Sequence, residues 1–435
     1  MFDHLHWLCL GRSRIERACA AIFVSILVST TGYSVAGDVN GHELLPIDGD
    51  PFPATLLSSD ESWNLTFRTP EGEKKLNAAD LVLWGAAVEP KWKGRLFANE
   101  FPPAHLLLAD GGMLPATILK SEGDRLTVES QLVDEEIVIP LDRLAGILFN
   151  PPGDAAARDR LEARLRDGAA DADRLILRQT DDVLRGRVVR FFVGTLEGGE
   201  AKIPQVEFKT DAATVSLPAD RIAGVAFNPK LARSGRKTGL WAMVGLSDGA
   251  RLPAAALKID EGQAEIKLAG DVVLATAAEN IVFLQPFGGK ATYLSDLEPS
   301  QYTHVPFLTL PWDYARDKSV VGTRLRAGGN LYEKGLGLHS TAQIGYRLTK
   351  PYRRFEAELA IDDAAENRGS VQFRIIAVTP EGNREYKSPV VCGGDPPLAV
   401  SLDLTGATGI AIQVSFAERG DERDYADVLN ARLVE

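Results

Sequence analysis

The chain repeats itself, and that repetition limits its fold more than any other feature of its 435 residues. The run Asp142-Arg143-Leu144-Ala145-Gly146-Ile147-Leu148-Phe149-Asn150-Pro151 returns as Asp220-Arg221-Ile222-Ala223-Gly224-Val225-Ala226-Phe227-Asn228-Pro229, with most positions identical or conservatively exchanged. A recurring unit implies that one supersecondary element is copied and stacked, so a single giant core is excluded. A second anchor opens the units: Leu107-Leu108-Ala109-Asp110-Gly111 before Leu114-Pro115-Ala116, and Gly245-Leu246-Ser247-Asp248-Gly249 before Leu252-Pro253-Ala254. Asp-Gly supplies the positive φ of a tight hairpin turn. Around it Thr117, Leu119, Leu126, Val128, Ile137 and Ile139 fall at the period-two spacing of half-buried strands.

Four units follow, near residues 43–87, 105–152, 174–230 and 242–287. The first is carried by Asp48-Gly49, Pro53-Ala54-Thr55 and Asp80-Leu81-Val82-Leu83-Trp84. The third replaces Asp-Gly by Asp181-Asp182 and inserts residues around Gly194 to Gly199. Units of about 45 residues with four or five short strands predict an all-β chain of small SH3-like barrels or rolls, packed in pairs. A propeller is the alternative, but unequal blades interrupted by a helix would close poorly. That helix is expected over 154–173, where Leu161 and Leu165 keep helical spacing, and its expected role is a spacer.

The amino terminus has the pattern of an export leader. Arg12, Arg14 and Arg17 precede an apolar run from Ala18 to Val28, and Ser34-Val35-Ala36 offers a small-x-small cleavage site. The run falls short of the roughly 20 residues that cross a bilayer. Residues 1–36 are therefore expected to leave, placing the mature chain in the periplasm, on the cell surface or outside the cell, with no membrane attachment. A net charge of −12 and a pI near 5.2 exclude non-specific attraction to nucleic acid or anionic lipid. Neutral glycans are not excluded, because stacking and directed hydrogen bonds hold them.

From about Tyr293 the texture turns aromatic and glycine-rich. In order come Trp312-Asp313-Tyr314-Ala315-Arg316-Asp317-Lys318-Ser319-Val320-Val321-Gly322, Leu331-Tyr332-Glu333-Lys334-Gly335-Leu336-Gly337-Leu338-His339-Ser340, Ile361-Asp362-Asp363, Gly369-Ser370-Val371-Gln372-Phe373 and Asp424-Tyr425-Ala426-Asp427. This series resembles the NPCBM family, related to carbohydrate-binding family 51. The resemblance implies a galactose-binding-like β-sandwich over 290–435 and a glycan partner such as a cell-wall or extracellular polysaccharide. The family usually ends Asp-His-Ala-Asp-Trp; here Tyr425 and Val428 stand in place of the histidine and tryptophan. The residues agree with a sandwich, since Phe355 to Leu359 and Ser370 to Ile375 alternate apolar with polar. The expected organisation is a leader (1–36), two barrels (37–152), a helical linker (153–173), two barrels (174–289) and the sandwich.

Sugar binding needs a flat aromatic for the apolar ring face and planar polar groups for the hydroxyls. Trp312, Tyr314, Tyr332, His339, Arg368 and Tyr425 offer that chemistry, and each has a core or edge role as its alternative. Asp362, Asp363, Asp424 and Asp427 offer hard oxygen ligands for a structural Ca²⁺, as in many related sandwiches; solvated or turn-capping carboxylates are the alternative. No nucleophile elbow, His-Glu-x-x-His, P-loop or dinucleotide fingerprint occurs. Asp362-Asp363 cannot flank one glycosidic bond, because adjacent strand residues point to opposite faces. The expected function is non-catalytic carbohydrate binding, with the repeats as scaffold or as contact for a protein partner. A cell-surface adaptor and an accessory part of a glycoside hydrolase are the alternatives.

Overall fold

The computed structural model describes residues 42–90, 103–167, 171–195, 202–234, 239–270, 272–418 and 420–435. The expected leader lies outside the described residues. Those described are nearly all β, with one α-helix among them.

In the first repeat His42–Pro46, Phe52–Ser59, Asn64–Thr69 and Gly72–Asn77 form an antiparallel meander. One turn of 3-10 helix, Ala78–Asp80, then delivers Leu81–Gly85 back against His42–Pro46 and closes the barrel. The same pairing order and the same three-residue helix recur over 104–148, 173–226 and 241–287. At the first hairpin the backbone enters the left-handed region in every copy: Gly49 (φ 109°), Gly111 (101°), Gly249 (90°) and, in the third, Asp181 (61°). Aspartate is among the few non-glycine residues that tolerate this conformation, because its short side chain can bond locally.

The repeated Leu-Ala-Gly and Ile-Ala-Gly runs have a packing reason. The closing strands of the second and third barrels, Leu144–Leu148 and Ile222–Ala226, pair antiparallel with each other. The helix Ala155–Arg166 lies against them. A Cβ on Gly146 would sit 2.6 Å from the carbonyl oxygen of Val225, and one on Gly224 would sit 2.7 Å from Leu165 Cδ1. Leu165 is buried there with Leu107, Met113, Leu148, Ile176 and Ala226, a burial that contributes roughly 2 kcal/mol. The helix is therefore a packed clamp across the barrel pair rather than a spacer. It also ends sooner than expected, at Arg166, and Asp173 already opens the next strand, Asp173–Leu177. Asp154 caps its start, accepting from the Ala157 amide at 2.7 Å. The first and fourth barrels join by the same device, with Gly85 opposite Phe283 and Trp84 opposite Leu284.

Residues 291–434 build a two-sheet sandwich. One sheet runs Ala315–Arg316, Gly335–His339, Tyr425–Val434, Arg354–Ile361, Leu398–Asp403; the other runs Gln301–His304, Ala342–Arg347, Gly409–Phe416, Ser370–Val378, Arg384–Cys392. Phe355, Ala357 and Leu359 enter the core between the sheets with Phe373, Ile375, Ile412 and Val428. Glu356 and Glu358, on the opposite face of their strand, line a cleft shared with the first barrel rather than open solvent. Across this seam Gln285 donates to the Tyr293 hydroxyl (2.9 Å) and to Asn430 Oδ1 (3.2 Å), and Arg353 and Arg354 reach Asp48.

Candidate functional site

Period-two geometry on Gln301–His304 puts Tyr302 and His304 on one face, and the chain returns at Trp312 after a loop. The Trp312 amide donates to His304 Nδ1 at 3.2 Å, and the Tyr302 hydroxyl donates to the Trp312 carbonyl at 2.7 Å. These two bonds fix the indole. It stacks on the His339 imidazole with ring centroids 4.5 Å apart and planes within 2°. Tyr425, the strand neighbour opposite His339, stands 6.1 Å from that ring and 6.2 Å from the indole. Trp312, His339 and Tyr425 thus converge at one end of the sandwich.

His339 is buried while Trp312 and Tyr425 are half-buried, so the histidine is the floor and the two larger rings form the accessible part. Burial holds the His339 imidazole below its ordinary value, which keeps it neutral at pH 7. Its Nδ1 and His304 Nε2 both approach the Ser340 carbonyl oxygen, at 2.8 and 3.1 Å. Ser340 in turn donates its hydroxyl to Asp424 Oδ2 at 2.5 Å, and the Ser370 amide donates to Asp424 Oδ1 at 2.8 Å. Burial pushes the Asp424 carboxyl up to about 6 despite these two donors, and neighbouring Asp421 adds to the rise. Asp424 therefore works as an anchor beneath the aromatic cluster.

The remaining candidates divide. Arg368 is exposed on the adjoining loop and pairs with Glu422 at 3.0 Å, beside the segment that leads into Tyr425. Tyr314 packs on Tyr302 at 5.1 Å and under the Arg316 guanidinium. Tyr332 does not join the cluster: it lies at the seam with the barrels, its hydroxyl donating to Glu358 Oε2 at 3.1 Å. Val428 is a fully buried core residue, so its departure from the family's tryptophan changes packing, not the aromatic surface. His304 was not among the candidates. The signal for it was its place two residues after Tyr302 on a strand that feeds Trp312.

The four aspartates are each engaged by other groups of the domain. Asp362 accepts from the Ala364 and Arg326 amides, and Asp363 from the Gly328 and Gly329 amides. Asp424 is engaged by Ser340 and Ser370. Asp427 is buried against Asp362, and burial with that neighbouring carboxyl pushes its pKa well up. The oxygens of Asp362 and Asp363 accept from backbone amides, and among the described residues no three His, Cys, Asp or Glu side chains are grouped to hold a metal.

Residues 290–434 match the NPCBM/NEW2 domain family. This part of the chain is an NPCBM domain. The NPCBM domain belongs to a carbohydrate-binding module family. A putative endo-alpha-N-acetylgalactosaminidase of Renibacterium salmoninarum is 30% identical over 113 residues, which is 26% of this chain and 7% of that protein. The chain thus spans a small fraction of that relative's length. Among solved structures, the CBM51 of a Clostridium perfringens GH95 protein in complex with methyl-galactose is 20% identical, covering 33% of this chain and 99% of its own, with a TM-score of 0.29. A second Clostridium perfringens structure, with CBM51-2 in complex with GlcNAc, is 19% identical over 44% of this chain and 40% of its own, with a TM-score of 0.30.

Proposed function

We propose that the chain is an exported, non-catalytic carbohydrate-binding protein whose NPCBM domain holds a glycan at the Trp312–His339–Tyr425 cluster. The observation that carries this is the convergence of three rings on one end of the sandwich, two of them half-exposed. A pyranose lays its apolar face on an aromatic surface, while nearby planar polar groups such as Arg368 satisfy its hydroxyls. The acidic chain suits a neutral or cationic ligand. Export rests on the leader pattern over 1–36, and no helix among the described residues is long and apolar enough to cross a membrane. The four barrels act as a scaffold that fixes the direction of the site, and a protein partner on their outer surfaces would fit the same role.

The test is a glycan-array screen of the full chain with Ca²⁺ and with a chelator, repeated with Trp312→Ala. Loss of one aromatic platform removes roughly 1–2 kcal/mol, so binding should weaken about tenfold or more. A folded protein that binds no glycan, or a variant that binds as tightly as the parent, would refute this reading.

A further inference from the structure

Where the fourth barrel, the helix and the NPCBM domain meet, they enclose a cavity of about 630 Å³, away from the aromatic cluster and within the size range of small-molecule sites. One wall is aromatic. Half-buried Trp241 stacks on Phe287 with centroids 4.3 Å apart and planes 21° from parallel. The other wall is a lattice of nearly buried ions. Glu333 accepts from Arg251 Nη1 at 3.2 Å and from Arg324 Nη2 at 2.5 Å. Arg166 spends its guanidinium on the carbonyls of Leu108 (2.7 Å) and Gly112 (2.6 Å) rather than on a carboxylate.

The charge balance decides which ligand such a wall takes. Five basic and six acidic side chains line the cavity, so neither a strong anion nor a strong cation gains net attraction. A neutral polyol does gain. Its hydroxyls accept from guanidinium N–H groups that have donors to spare and donate to carboxylates that keep free lone pairs. An aromatic platform facing such groups suits the two faces of a pyranose.

We propose that this cavity is a second, neutral-saccharide site, assembled jointly by the barrels and the NPCBM domain, with the sugar ring on Trp241 and its hydroxyls on Arg166, Arg324 and Glu333. The barrels are then part of the recognition surface and not only a scaffold. This assignment does not rest on the Trp312 cluster.

The test uses the full chain and a panel of neutral oligosaccharides, comparing wild type, His339→Ala, Trp241→Ala and Lys318→Trp. Lys318 is an exposed residue on the cavity rim, so its replacement blocks entry without touching the core if Trp241→Ala fails to fold. At least one saccharide should still bind to His339→Ala and should lose tenfold or more in affinity in Trp241→Ala or Lys318→Trp. If His339→Ala abolishes all binding, or binding to it survives both cavity changes, the second site is overturned while the first stands. If wild type binds no saccharide, both readings fall.

Discussion

Replacing Asp424 by asparagine should make the protein more stable at neutral pH and should flatten part of its pH dependence. The side chain is fully buried, accepting from Ser340 and Ser370, and asparagine can keep both contacts by accepting from the Ser370 amide and donating to the Ser340 hydroxyl. Its carboxyl is raised from 3.8 to about 6. Between those values the native chain holds a proton that the unfolded chain has released, so stability falls as pH rises through this window and levels off above it. A rise of about two units corresponds to a ceiling of roughly 3 kcal/mol at pH 7. His339 works the other way. Held below 6.5 by burial, it takes its proton later than the unfolded chain as pH falls, so its contribution grows with pH over an adjoining range. Because both proteins keep His339, the difference between them isolates Asp424. Urea unfolding followed by tryptophan emission should show the Asp424→Asn advantage growing from about pH 3.5 to about pH 6.5 and constant above. An advantage that does not change with pH, or a variant less stable than the parent at pH 7, would refute the reasoning.

Other substitutions test neighbouring parts of the argument. Tyr332→Phe removes the hydroxyl that donates to Glu358 and should cost roughly 1–2 kcal/mol of stability in denaturant titration, yet leave binding at the Trp312 cluster unchanged. Glu333→Ala strands Arg251 and Arg324 in a buried setting and should destabilise by about 3–5 kcal/mol, whereas exposed Lys120→Ala, which breaks a surface pair with Glu122, should be close to neutral. Gly337→Ala would place a Cβ 2.4 Å from the Lys318 carbonyl oxygen and should lower stability by about 1–3 kcal/mol, readable as a drop in melting temperature.

Some of this was legible in the chain because it depends on local chemistry. Asp-Gly turns, period-two alternation and the repeated Ala-Gly runs are each set by a few neighbouring residues, and they marked hairpins, strands and repeats without any tertiary information. The same holds for Trp312, His339 and Tyr425, which lie in an ordered series of motifs. Non-local facts were hidden. Tyr332 has the same chemistry as Tyr425, but the pairings beside them join residues far apart in the chain, Ala87 with Leu331 at the barrel seam and His339 with Tyr425 at the ring cluster.

By itself, then, the sequence indicated an all-β chain with four copied units, a distinct aromatic-rich carboxy-terminal module and six candidate binding residues, Trp312, His339 and Tyr425 among them. Tertiary structure decided what each unit packs against. It made the helix a clamp, because only there do Gly146 and Gly224 leave room for Leu165. It set Asp362 and Asp363 against the backbone amides of 326, 328, 329 and 364, partners that for the first three lie 34 to 36 positions away in the chain. And it joined Arg251 of a barrel to Glu333 of the sandwich across a cavity that no stretch of neighbouring residues encodes, since burial and partnership are properties of surfaces brought together by folding.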